Sequence, residues 1–245
     1  MRRVKTFARG TERRKVSVQG VEIELEVNEH VFPPSANGSF YAESVRVNAA
    51  ETVIDIGTGS GVLAIFAAKA GAVVSATDLD PAAVEVAERN AARNGVSVEF
   101  RRGALFAGLD KKFDVILANL PNEIIHRSYL DEVGEQLAHT FDGGERGNEH
   151  VLDLLQAAKG HMHGRSRLYL PVHTLTDYHE TLRQAVNDYS ARLVAVAQLP
   201  AKEFVEEHID FYLRLNEAGV IRIFAQGGAW YTNGYVFELS LAAPV

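Results

Sequence analysis

The chain has 245 residues, 47% of them apolar and 23% charged, with a net charge of −7 and no cysteine. That size suits one α/β domain with additions and a full core, while the composition excludes disulfides, thiolate catalysis and zinc–thiolate sites. The acidic balance opposes nonspecific binding to a phosphate backbone, and no apolar run is long enough to span a bilayer.

The N-terminus carries a basic patch of Arg2, Arg3, Lys5, Arg9, Arg13, Arg14 and Lys15. It reads as a solvated arm, or as a contact to an anionic partner. No apolar run follows it, so no secretory leader is expected and a cytoplasmic location is. Residues 15–27 alternate in hydrophobicity, with Gln19-Gly20 between Val16, Val18 and Val21, Ile23, Leu25, Val27. This pattern predicts a β-hairpin. An arm over residues 1–35 and a main domain over 36–245 follow.

Pro33-Pro34 forbids helix or central strand at that point. Asn37 or Ser39 then caps a predicted helix over Tyr41–Asn48.

Val53-Ile54-Asp55-Ile56-Gly57-Thr58-Gly59-Ser60-Gly61 is the stretch that organises the domain. A buried apolar strand runs into glycines at alternate positions, and a helix follows to Ala70, where Gly71 ends it. A dinucleotide turn would need G-x-G-x-x-G, but Val62 stands at the third glycine, and an acid in the strand would repel a pyrophosphate. Asp55 instead suits a ligand with a cationic end.

Ala72–Thr77 is the second sheet strand, ending at Asp78-Leu79-Asp80-Pro81. Asp78 is placed to accept from a ribose diol, and Asp80 to cap the helix Pro81–Asn94. Ser97–Arg101 and Lys112–Ala118 are the third and fourth strands. The fourth exits into Asn119-Leu120-Pro121-Asn122, at the sheet edge where ligands bind in open α/β folds.

A Gly-rich turn over Asp142–Gly147 precedes a helix from Asn148 to Lys159. Arg167–Val172 is the fifth strand, Leu175–Tyr189 a helix, Arg192–Leu199 the sixth strand and Tyr235–Leu241 the seventh. The connection over residues 200–234 is long and rich in apolar residues, and such a connection is seldom idle. It reads as a helix plus an extended piece that covers the acceptor pocket or forms a homodimer contact. His161 and His163 read as surface histidines, and no metal is expected.

The order of these pieces resembles the class I S-adenosylmethionine (AdoMet) methyltransferases, and within them the HemK-like N-methyltransferases, across residues 31 to 156. The glycine stretch matches the acidic-x-G-x-G-x-G motif, and residues 31–40 resemble the segment that folds over the cofactor near the methyl. Asn119-Leu120-Pro121-Asn122 sits where N-P-P-Y occurs, and the Gly-rich turn follows it at a similar interval. The resemblance implies a seven-stranded, mostly parallel Rossmann-like sheet with helices on both faces, here with the hairpin arm and the insertion between strands six and seven.

It also implies AdoMet as cofactor, held by Phe40, Asp55, Gly57, Gly59, Gly61, Asp78, Leu79, Ala104, Leu105 and Asn119. The catalytic group would be Asn119, Leu120 and Pro121, with the Asn119 side chain and Leu120 carbonyl holding the N–H groups of the acceptor. Two departures stand out. Ala104 replaces the usual acid near the adenine amine, and Asn122 replaces the aromatic that would stack on the target. Trp230 and Tyr231 are then candidates for the missing wall, beside Asn122, at the substrate side.

The function implied is methyl transfer to a nitrogen of a small molecule, peptide or protein side chain. A nucleic-acid base methyltransferase, a dinucleotide oxidoreductase and a non-catalytic AdoMet-binding partner are the other readings. The glycine spacing and Asp55 oppose the oxidoreductase, and the acidic charge opposes the nucleic-acid enzyme.

Overall fold

The computed structural model describes residues 10–133, 138 and 140–242. Arg2, Arg3, Lys5 and Arg9 of the basic patch lie outside them. The described part opens with an antiparallel hairpin, β1 (Glu12–Val18) and β2 (Val21–Val27), turned at Gln19-Gly20 as expected. Its apolar side chains Ile23, Leu25 and Val27 are fully buried in the core that also holds Leu63, Phe66 and Val86. Alternation in β2 thus buries one face of a two-stranded ribbon that would be marginal alone.

Eight strands form the main sheet, in the order β5-β4-β3-β6-β7-β10-β8, with β9 paired to β10. Strands β3 (Thr52–Ile56), β4 (Val73–Asp78), β5 (Glu99–Arg102), β6 (Phe113–Ala118) and the N-terminal part of β7 (Met162–His173) run parallel. Strands β8 (Tyr189–Pro200), β9 (Ile223–Gln226) and β10 (Ala229–Leu241) complete the sheet antiparallel. Side chains alternate across β3: Val53 faces helices α2 (Val62–Lys69) and α3 (Pro81–Arg93), whereas Ile54 and Ile56 face α5 (Glu149–Ala158) and α6 (Tyr178–Asp188). The sheet is therefore covered on both sides, as parallel pairing requires.

Several boundaries differ from those read in the sequence. The helix placed at Tyr41–Asn48 is α1, Ala36–Ser44, because Ser35 and not Asn37 or Ser39 caps it, accepting from the Gly38 N–H at 3.1 Å. It ends where the Ser44 hydroxyl bonds back to the Phe40 carbonyl and Val45 turns extended. The helix read from Leu175 starts at Tyr178, since Asp177 caps it through the Glu180 N–H.

The connection over residues 200–234 holds two helices, α7 (Glu203–Glu207) and α8 (Ile209–Glu217), and the eighth strand, β9. Gly227-Gly228, both at positive φ, close a two-residue hairpin that pairs Gln226 with Ala229. Seven strands become eight because this turn folds the extended piece back on β10. Helix α4 (Arg127–Val133) and the α7–α8 segment share a separate apolar cluster containing Tyr129, Phe141, Phe204 and Tyr212. The two histidines read as surface groups are half-buried: His161 stacks on Phe106 at 4.0 Å, and His163 Nε2 lies 3.0 Å from Asp114.

The hairpin is held by side-chain amides that act as backbone. Asn90 of α3 accepts from the Glu26 N–H at 2.7 Å and donates to the Glu26 carbonyl at 2.9 Å. Asn94, one turn on, does the same for Glu24 at 3.1 and 2.7 Å. Asn90 also donates to the Ser60 carbonyl in the glycine turn at 2.9 Å. Asn90→Ala leaves these buried groups unpaired and is expected to cost about 2–4 kcal/mol. Urea denaturation measures the loss, and hydrogen exchange over Val21–Val27 is expected to accelerate.

Candidate active site

The glycine turn is built from beneath. Asp55, on β3, is buried, and its Oδ2 accepts from the Thr58 hydroxyl at 2.7 Å and the Ala64 N–H at 3.2 Å. It thus caps the start of α2 and sits under the turn, not on the wall of the cleft above it. Its Oδ1 has no partner. Burial lifts the carboxyl to about 7, against the pull of those two hydrogen bonds, and the nearby Asp78 charge adds to the rise.

Gly57, Gly59 and Gly61 all hold positive φ. A Cβ on Gly57 would meet the Leu120 side chain at 2.7 Å, so glycine is required there for space as well as conformation. Gly61 packs under the turn, where a Cβ would approach Ala87 at 3.1 Å. Asp78, at the end of β4, accepts from the Gly59 N–H at 2.9 Å and the Asp80 N–H at 3.0 Å. This carboxylate fixes the turn and the following loop together, at the cleft wall.

Above the turn lies a cleft of about 390 Å³. Of the residues singled out in the sequence, it brings together Gly57, Gly59, Asp78, Leu79, Ala104, Leu105, Asn119, Leu120 and Pro121. Leu79 is a large apolar side chain left 65% exposed, set on the cleft wall next to Asp78. The sequence reading missed one wall: Val16, Ser17 and Val18 of the hairpin line the cleft too. The arm is therefore part of the site.

Other singled-out residues lie elsewhere. Phe40 packs in the core against Gly234. Asn122 is buried and donates to the Pro171 carbonyl at 3.4 Å. Trp230 packs in the Tyr129–Phe204 cluster and Tyr231 stacks on Phe224, and neither lines the cleft.

Asn119 is exposed at the exit of β6. Beneath it, the buried Tyr41 hydroxyl accepts from the Ala118 N–H at 3.0 Å and donates to the Tyr169 carbonyl at 2.9 Å. Tyr41 thus joins α1 to the end of β6 and to the middle of β7.

A second cavity, of about 240 Å³, adjoins the cleft and shares Phe32 and Ser35 with it. Its other walls are Tyr129, Phe141, Phe204, Lys202 and Glu203. The Lys202 ammonium lies 2.6 Å from the buried Glu123 carboxylate and over the rings of Phe32 and Phe204 at 5.5 and 5.9 Å. The other Glu123 oxygen accepts from the Asn37 amide at 3.2 Å. Sequence reasoning could not assemble this cavity, because no local motif joins positions 32, 129, 141 and 202–204.

The chain is similar to known methyltransferases. The family model of ribosomal protein L11 methyltransferase (PrmA) matches residues 36–139. The ribosomal protein L11 methyltransferase of Dictyoglomus thermophilum is 51% identical over 74 residues, 30% of this chain and 25% of that protein. The chain thus spans about a quarter of the length of that relative. A protein of Methanocaldococcus jannaschii, provisionally named a protein N5-glutamine methyltransferase, is 32% identical over 139 residues, 56% of this chain and 68% of that protein. Among solved structures, a 16S rRNA guanosine-N2 methyltransferase of T. thermophilus, in complex with AdoMet and guanosine, is similar in fold. Its TM-score is 0.59 at 14% identity, over 96% of this chain and 52% of that one.

Gly57→Ala tests the turn. Positive φ and the clash with Leu120 are expected to cost at least about 1 kcal/mol of stability and to displace Leu120 from the cleft, read as a lower melting temperature together with weakened binding of S-adenosylhomocysteine.

Proposed function

The chain belongs to the class I S-adenosylmethionine-dependent methyltransferases, and from that premise we propose that it moves a methyl group to a nitrogen of a small molecule, peptide or protein side chain. The observation that carries this reading is Asn119, exposed at the strand exit on the wall of the glycine-floored cleft. The names of the relatives point the same way: one gives a ribosomal protein as acceptor, the other the N5 of a protein glutamine.

The residues present fit AdoMet. The Asp55 oxygen left unpaired under the turn supplies negative charge below a cationic ligand. Asp78, held by the Gly59 and Asp80 N–H groups, sets a carboxylate on the cleft wall at the end of its strand. The exposed Leu79 and the Ala104–Leu105 backbone give an apolar slot for a flat base. When bound, the cofactor supplies an electrophilic methyl on a sulfonium, a leaving group that needs no further activation.

The protein's task is then orientation and exclusion of water. Asn119 accepts a hydrogen bond from the acceptor N–H through its amide oxygen and turns the nitrogen lone pair toward the cleft. The Leu120 carbonyl takes a second N–H. As positive charge develops on nitrogen, both dipoles stabilise it without reorganising. Pro121 fixes the backbone after them, and Tyr41 holds the whole corner to the sheet.

Two outcomes are expected. Asn119→Ala should lose most of the turnover, on the order of 10²-fold, while calorimetric affinity for S-adenosylhomocysteine stays within about threefold, as a change of under 1 kcal/mol. A large loss of that affinity would put Asn119 in cofactor binding instead.

The second outcome concerns pH. The Asp55 carboxyl stands near 7 in the folded protein, above its ordinary value of 3.8. Its contribution to stability is thus complete below the ordinary value and lost as pH rises through 7. A bound cation favours the ionised form, so cofactor binding releases a proton. Affinity for AdoMet should rise from pH 6 to pH 8, by up to about tenfold, and titrations with Asp55→Asn should be flat over the same range.

A further inference from the structure

We propose that the free edge of β8 is a dimer interface, and that its partner is the β8 edge of a second copy of this chain, paired antiparallel about a two-fold axis. The interface stands apart from the methyl-transfer chemistry, since none of Tyr189–Pro200 lines the cofactor cleft.

The two edges of the main sheet differ. At one end, β5 is short, and three of its four residues, Glu99, Arg101 and Arg102, are charged. Short length and charge are what keep a strand edge from pairing with another chain. At the other end, β8 has twelve residues, and among the described residues no strand lies beyond it. Its one charged residue is Arg192, whose guanidinium is already paired with Glu238 at 2.9 Å. Its one proline is the last residue, Pro200. Ser190, Ala191, Arg192 and Leu193 are exposed in succession, which leaves this length of edge in water.

A bulge gives the edge an apolar side. β10 pairs Phe237 with Leu193 but Val236 with Ala195, so Val194 is an extra residue on β8. Directly opposed residues share a face of the sheet. Leu193 therefore lies beside Phe237, and Val196 beside Tyr235, on the side that carries α5 and α6. Without the extra residue, two positions three apart would point to opposite faces. Both are large apolar side chains left in water, 49% and 57% exposed. Val186, near the end of α6 just before the chain enters β8, is exposed as well. Among the described residues, the others of this kind are Leu79, in the cleft, and Val73.

Charge selects a second copy. The chain carries −7, so two copies repel over most of their surfaces. An uncharged strip is where they can meet, whereas a strand from a charged partner finds no complementary charge on it. The strip is also self-complementary. A two-fold axis through the Val194–Ala195 bulge sets each Leu193 opposite Val196 of the partner subunit and each Arg192 opposite Ala197 of the partner subunit. Apolar groups then meet apolar groups, and no like charges face each other. The backbone N–H and C=O groups on the outer side of β8 gain the partners that an edge lacks.

Sedimentation equilibrium of the full chain tests this, with hydrogen exchange to locate the contact. A dimer is expected, with a dissociation constant below about 10 µM. Amide exchange over Tyr189–Pro200 should slow as concentration rises through that range, while exchange over β5 stays constant. Val196→Lys buries two ammonium groups per dimer and should weaken association by about tenfold or more. Val73→Lys makes the same change in net charge at a comparably exposed valine outside the strip, and should leave association unchanged. The proposal is overturned if the wild type is monomeric at about 100 µM, if Val196→Lys associates as the wild type does, or if exchange over β8 is independent of concentration. A monomer whose β8 exchange slows only when another protein is added gives the edge to that protein and overturns it as well. If Val196→Lys fails to fold, exchange in the wild type decides.

Discussion

The Tyr41 hydroxyl holds the site together. It accepts from the Ala118 N–H and donates to the Tyr169 carbonyl, bridging β6 and β7 at the point where their direct pairing, through Leu117 and Tyr169, stops. Burial drives its pKa up, so the phenol stays a neutral donor under all ordinary conditions. Both bonds lie in the interior, where an unmade partner is costly. Because Tyr41 belongs to α1 and Ala118 precedes Asn119, one side chain sets the distance between the loop over the cleft and the residue assigned to the acceptor. The Pro33-Pro34 segment and its Ser35 cap then determine where that loop enters.

The same economy of means appears at the opposite wall. A two-stranded hairpin is marginal alone, and its buried face of Ile23, Leu25 and Val27 provides the adhesion. Apolar burial is non-directional, so it does not set register. Asn90 and Asn94 do, by matching the spacing of backbone donors and acceptors along β2 with amides one helical turn apart. Asn90 adds the Ser60 carbonyl, so the hairpin wall and the glycine floor move as one body. Ion pairs from Arg89 and Arg93 to Glu26 lie partly in solvent and add little beyond this.

What the sequence made legible follows from how local each constraint is. The glycine turn, Asp78 and the exit of β6 are encoded by neighbours within a few residues, and the structure brings them to one cleft. Asp55 was legible as the acid of the glycine motif, but its depth was not: only the fold reveals that its carboxylate lies under the turn, bonded to Thr58 and Ala64. The start of α1 was misjudged because Ser35, Asn37 and Ser39 are all good caps in isolation, and only the chain direction after two prolines selects the first. Trp230 and Tyr231 were reasonable as a missing wall, yet the Gly227-Gly228 turn commits them to a strand away from the cleft. The aromatic cavity beside the cleft is instead lined by Phe32, Tyr129, Phe141 and Phe204, which no periodicity connects.

Charge at the two ends of the site has opposite logic, and the difference is one of pairing. Asp55 keeps an oxygen without a partner, so burial raises its pKa and leaves the group responsive to a cation above it. Glu123 is buried as deeply but is neutralised by Lys202 and bonded by Asn37, so it offers nothing further to an incoming charge. Two carboxylates of similar burial thus differ in what they can still pair with, one open to a cation and the other closed by an ammonium.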